Sequence, residues 1–183
     1  MRILFVLLVV AFSGSSTRGN NSLFTSLNPL DSIAPLEKDV SSIDGLVAAL
    51  YEVISGPAGE KRNWERMRTL FIQESKMMST TRRPDGSMTK RVRSVEEYIS
   101  TSGPLLEKEG FFEREIGRTT EQYGGIVQIF SAYDSRRALS DTTPFARGIN
   151  SIQLWNDGKR WWIVSILWQS ETADNPIPQK FLH

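Results

Sequence analysis

Near its C-terminus the chain carries Arg160 to Gln169 (RWWIVSILWQ) directly after Asn156-Asp157-Gly158-Lys159. Asp-Gly between strand-like runs marks a β-hairpin, so Phe145–Trp155 and Arg160–Glu171 read as paired strands. A two-residue Asp157-Gly158 turn would set Leu154 against Trp161, Ile152 against Ile163 and Asn150 against Ser165. Arg147, Ile149, Trp162, Val164, Ile166 and Trp168 would then share the other face. Both sides of Trp161–Trp168 would be apolar, whereas a strand open to water on one side alternates. Such a strand needs cover above and below.

Upstream, Ser41-Ser42-Ile43-Asp44 forms a capping-box pattern with Asp in place of Glu. Ile43, Leu46, Val47, Leu50 and Ile54 follow at helical spacing up to Gly56-Pro57. Trp64, Met67, Leu70 and Phe71 mark a shorter second helix. Residues 75–93 read as a hairpin around Arg83-Pro84-Asp85-Gly86, with a basic, solvated outer side. Ser94-Val95-Glu96-Glu97 caps a third helix, expected to fail near Gly103-Pro104. Phe111–Thr120 and Ile126–Tyr133 are two further strands, turned at Gly124-Gly125. Helices early and strands late predict an α+β domain, with helices on one face of a mostly antiparallel sheet.

The helices cover one face. The other calls for a second copy of the chain, docked through Arg147, Ile149, Trp162, Val164, Ile166 and Trp168, or for residues 20–38 or Pro176–Leu182 folding over it. On the helix side, Leu154, Ile152, Trp161 and Ile163 form an apolar end, and Asn150, Ser165 and Gln169 a polar one. That describes either a ligand pocket or a watered polar cluster. With Trp64, Tyr98 and Tyr133, these three polar residues are the pocket candidates.

Composition removes many chemistries. The formal charge is +1, and zero if Arg2 is cleaved off, which gives no general pull on nucleic acid. Without cysteine there is no disulfide and no thiolate site, and the single histidine, His183, excludes a multi-histidine metal site. Neither a metal nor a cofactor is expected. Glu113, Glu115, Glu121, Tyr98, Tyr133 and Asp134 remain as acid–base groups. Strand parity puts Phe111, Glu113, Glu115 and Gly117 on one side, and Phe112, Arg114, Ile116 and Arg118 on the other. Glu115 is then either part of a solvated edge with cross-strand ion pairs or a base buried inside the sheet.

Met1-Arg2, the apolar run Ile3–Phe12 and Ser13-Gly14-Ser15-Ser16 form a signal-peptide pattern over residues 1–16. Ten apolar residues rise only about 15 Å as a helix, too short for a permanent membrane anchor. The chain is expected to be exported to a periplasm or beyond. Residues 17–38 read as a flexible tether and 39–183 as the folded domain.

The element order, GKRWWIVSILWQSE after its turn, and GGIVQIFSAYDSR resemble the nuclear transport factor 2-like superfamily, which includes SnoaL-like cyclases and ketosteroid isomerase. The resemblance spans residues 40–172. It implies a cone-shaped, cystatin-like sheet around helices, an interior pocket and frequent dimers. SnoaL-like members often carry His where this chain has Ser165 and Leu167. The leading expectation is a non-catalytic module that holds a small apolar molecule or pairs with itself. The alternative is a lyase or isomerase using a buried carboxylate or tyrosine, which a carboxylate or phenol deep inside the sheet would favour.

Overall fold

The computed structural model describes residues 33–83 and 85–183. The expected signal peptide and most of the expected tether lie outside the described residues. Helix α1 (Glu37–Val40) begins within the last two positions of that tether. Then come α2 (Ile43–Ile54), α3 (Trp64–Arg68), β1 (Phe71–Arg82), β2 (Met88–Arg93), α4 (Val95–Glu109), β3 (Phe112–Tyr123), β4 (Ile126–Arg136), β5 (Ala146–Asn156) and β6 (Trp161–Ser170). The six strands form one sheet in the order β2-β1-β6-β5-β4-β3. Every pair is antiparallel except β1–β6. This is the α+β class read from the sequence.

Apolar spacing makes α2 the filler of the sheet's inner face. Leu46, Val47, Leu50, Val53 and Ile54 are buried against Val127, Ile129, Ile152, Leu154, Ile163 and Ile166. Ser42 caps α2 by accepting from the Gly45 N–H at 3.0 Å. Ser94 and Glu97 form the reciprocal capping box of α4, at 2.7 and 3.2 Å. That helix does not fail at Gly103-Pro104 but runs on to Glu109. Its last turns are anchored from outside. Leu106 is buried, and Glu107 accepts from the Arg62 N–H at 3.1 Å and from Trp64 Nε1 at 2.9 Å. These tertiary contacts outweigh the hydrogen bond that proline removes.

The last hairpin departs from the expected register. Residues 157–160 form the turn, and Leu154 pairs with Ile163 rather than Trp161. Val164 then bulges, so Gln153 pairs with Ser165, Ile152 with Ile166 and Asn150 with Trp168. A bulge puts two residues opposite one and flips the parity beyond it. Ile163 and Ile166 therefore both face the core, at 0% and 3% exposure, and Trp168 packs against it. The face proposed for a second copy does not exist as read. Ile166 and Trp168 point inward, Val164 is the bulge, and Arg147 pairs with Glu171 at 3.2 Å.

Part of the outer face is covered by the chain itself, while Ile126, Phe130, Trp155 and Leu167 stay exposed. After β6 the chain returns through a 3-10 turn at Gln179–Phe181. Ile177 is buried, and the Phe181 ring stacks on Phe130 with centroids 5.4 Å apart. The Arg118 N–H donates to the His183 carbonyl at 3.2 Å. No helix of the described residues is long and apolar enough to cross a membrane.

Candidate functional site

Between α2, α4 and the inner sheet face lies a cavity of about 240 Å³. Its polar lining includes Tyr51, Arg93, Tyr98, Glu113, Tyr133 and Asn150, and Leu50, Leu106, Ile166 and Trp168 supply apolar wall. Across Tyr51 and Glu113 lies a wider groove of about 610 Å³, edged by Glu52, Arg114, Glu115, Arg118 and Arg136. Glu113 and Tyr51 line both.

Glu113 sits on β3 opposite Ser135 of β4, whose Oγ donates to its Oε2 at 2.8 Å. Burial pushes its carboxyl up to about 7, with a smaller push from Asp134, while donation from Ser135 and Asn150 holds it down. Desolvation wins because the charged form loses water and gains only two neutral donors. Three phenols surround the cavity. Burial raises Tyr98 and Tyr51 far above the ordinary tyrosine range and Tyr133 to about 12, Glu113 adding to each. All three stay protonated and can donate. Tyr133 pairs with Gly148, and a Cβ there would fall 2.5 Å from its hydroxyl. The glycine makes room for the tyrosine.

A directed chain fixes Asn150. Glu115 accepts from Ser131 Oγ at 2.6 Å, so the single Ser131 hydroxyl proton is committed. Tyr51 Oη, 2.6 Å from Ser131 Oγ, must then be the donor to it. Asn150 Nδ2 donates to Tyr51 Oη at 3.1 Å. The amide therefore has one orientation, with nitrogen toward Tyr51 and toward Glu113.

Of the pocket candidates, Tyr98, Tyr133 and Asn150 meet at this cavity. Trp64 does not line it: it packs on Gly103, where a Cβ would approach its Cζ2 to 3.0 Å. Ser165 and Gln169 lie on the outer face because the Val164 bulge reversed the parity; Gln169 Oε1 accepts from Thr80 Oγ1 at 3.2 Å. Glu115, read as either an ion-paired edge residue or a buried base, is held by Arg118 and Ser131, while Glu113 two residues earlier has the raised pKa. Arg93, expected on a solvated hairpin side, turns inward. Its guanidinium lies 5.4 Å from the Tyr98 ring centroid and 5.7 Å from that of Trp168. Asp134, one of the acid–base candidates, is instead paired with Arg136 and with Arg114 at 3.1 Å. Among the described residues no cluster of three or more His, Asp or Glu could hold a metal.

By sequence, no family model and no curated protein matches the chain. By shape, it is similar to a protein of unknown function with a cystatin-like fold from Nostoc punctiforme. The TM-score is 0.53 at 11% identity, over 72% of this chain and 90% of that one. The fold is cystatin-like. A candidate beta subunit of an aromatic-ring-hydroxylating dioxygenase from Novosphingobium aromaticivorans is similar at TM-score 0.53 and 18% identity, over 72% of this chain and 88% of that one. A nuclear transport factor 2-like protein of unknown function from Silicibacter pomeroyi matches at TM-score 0.49 and 12% identity, over 72% and 94%. The cystatin-like chain shares the architecture that the closing-strand resemblance implied.

Proposed function

We propose that the 240 Å³ cavity carries acid–base catalysis on a small, largely apolar carbonyl compound, with Glu113 as the proton carrier. The observation that carries this reading is a carboxyl raised to about 7 in a pocket lined by protonated phenols. A base works best with a pKa near the operating pH. The Glu113 carboxylate takes a proton from the carbon next to the carbonyl. Tyr98 or Tyr133 donates a hydrogen bond to the enolate oxygen as charge develops there. The protonated Glu113 then returns its proton to the same carbon or to the γ carbon of an unsaturated ketone, giving exchange or isomerisation. At about 240 Å³ the cavity falls below the roughly 300 to 1,000 Å³ of drug-sized ligand sites, so the substrate is small. This reading displaces the non-catalytic one because a carboxylate and phenols line the pocket, not amides and hydroxyls alone. It retains export, on the pattern of residues 1–16, which mass spectrometry of the secreted chain would test through a start at Gly14 or Ser16.

The test is conversion of 3-cyclohexenone to 2-cyclohexenone in D₂O, followed by NMR. The wild type should exceed Glu113→Gln by about 10²-fold or more, the span general-base groups supply. Equal rates for the two proteins would overturn the assignment.

A further inference from the structure

Arg93 ends β2 and lines the cavity. Its Nη1 is held by neutral hydroxyls, Ser102 Oγ at 3.0 Å and Thr101 Oγ1 at 3.4 Å. Among the described residues it makes no ion pair. The nearby Glu97 carboxylate accepts instead from the Ser94 N–H in the capping box. The Arg93 Nε–H is shielded from solvent and donates to nothing among the described residues. Elsewhere this same guanidinium edge, Nε with Nη2, grips carboxylates side-on. Arg66 uses it on Asp39 at 2.6 and 2.8 Å, and Arg68 on Glu96 at 2.6 and 2.8 Å. A buried donor without a partner is costly, and planar two-point binding of carboxylate is what a guanidinium does best.

The other walls set the rest of the ligand. Tyr98 and Trp168 meet edge to face with centroids 6.3 Å apart, and Arg93 spans both rings. Leu50, Leu106 and Ile166 add aliphatic surface. Among the described lining residues Arg93 is the only cation, and one guanidinium suits a single-charged acid better than a phosphate dianion. We infer that the ligand is a small carboxylic acid with an apolar body, its carboxylate paired with the Arg93 guanidinium and its carbon skeleton against Tyr98, Trp168 and Ile166. This rests on the cavity being a ligand site, as proposed above, but not on Glu113 moving a proton. It makes the natural substrate a keto acid or unsaturated acid rather than a neutral ketone.

The experiment compares 3-phenylpropanoate with 3-phenylpropanamide by calorimetry at pH 6. The wild type should bind the acid at least tenfold more tightly than the amide. Arg93→Met should erase that preference while still binding the amide, which shows that its pocket survives. Glu113→Gln should keep the preference, so failure of proton transfer and failure of acid recognition are read separately. Equal affinity of the wild type for acid and amide, absence of binding to both, or an undiminished preference in Arg93→Met would each overturn the inference.

Discussion

Arg118 closes on Glu115, three positions before it on β3, with Nη2–Oε2 at 2.6 Å and Nε at 2.9 and 3.0 Å from the two oxygens. On a regular strand these side chains would point to opposite faces. Ile116 bulges between them, since Glu115 pairs with Tyr133 and Gly117 with Ala132. The parity beyond Ile116 is reversed, and Arg118 joins Glu115 on the inner side. Both side chains are about four-fifths hidden, so the pair is shielded from salt. Arg118→Met should cost about 1–3 kcal/mol, because it strands a carboxylate. Adding Glu115→Gln should recover part of the loss. Urea unfolding of the four proteins in a double-mutant cycle measures the coupling, expected above about 1 kcal/mol.

The same bulge explains where sequence reading stopped. Parity correctly put Glu113 and Glu115 on one side, and the helical spacing of α2 and the Ser94–Glu97 box were plain in the chain. Which glutamate stays free depended on Arg118, and alternation placed Arg118 on the far face. The bulge at Val164 did the same to Ser165, Gln169, Ile166 and Trp168, whose sides were all exchanged. A bulge arises from competition between sheet curvature and ladder pairing across strands, so no local residue pattern announced it. Arg93 was missed for another reason. In a run of basic hairpin residues nothing marks the one whose position, at the last residue of β2, brings it beside Tyr98 and Trp168. Folding of Pro176–Leu182 over the outer face was one of the alternatives open in the sequence, and Ile177 and Phe181 provide a partial cover there.

Glu113 should make stability depend on pH in a stated direction. Its pKa rises from 4.5 to about 7 on folding. Between those values the folded chain holds a proton that the unfolded chain has released, so stability falls as pH rises through the window. The full effect is about 3 kcal/mol, reached above the folded pKa. Glu113→Gln removes it. Thermal unfolding should show the variant near wild type at pH 5 and clearly more stable at pH 8. A difference that does not change between the two would contradict a raised Glu113.

The C-terminal cover can be lifted at one atom. A Cβ on Gly117 would lie 2.4 Å from the Phe181 carbonyl oxygen and 2.8 Å from the His183 nitrogen. Gly117→Ala should therefore displace the last residues without reaching the core. Faster proteolysis beyond Pro178 and a lower Tm are expected. Truncation after Ser170 goes further, uncovering Phe130, Ile149 and Leu167, which line the space beneath this segment. Sedimentation velocity of the truncated chain should show concentration-dependent association, since contiguous apolar sheet surface seeks a partner. An unassociated truncated chain of unchanged Tm would show that the segment contributes no cover.

Tyr51 links the two cavities through its hydroxyl, and Tyr51→Phe separates orientation from bulk. The ring stays in the core, but Asn150 Nδ2 loses its acceptor at 3.1 Å and Ser131 loses a donor at 2.6 Å. One unsatisfied buried amide hydrogen costs about 1–3 kcal/mol. More tellingly, nothing then forces the nitrogen of Asn150 to face Glu113. If the amide turns, its carbonyl oxygen meets the Glu113 carboxyl and favours the protonated form. The Glu113 pKa, about 7 in the wild type, should rise in Tyr51→Phe. Carboxyl ¹³C titration by NMR reads this directly, and the pH midpoint of cyclohexenone isomerisation should move up with it. A midpoint that stays put or falls would mean that the Tyr51–Ser131–Glu115 chain does not set the direction of the Asn150 amide.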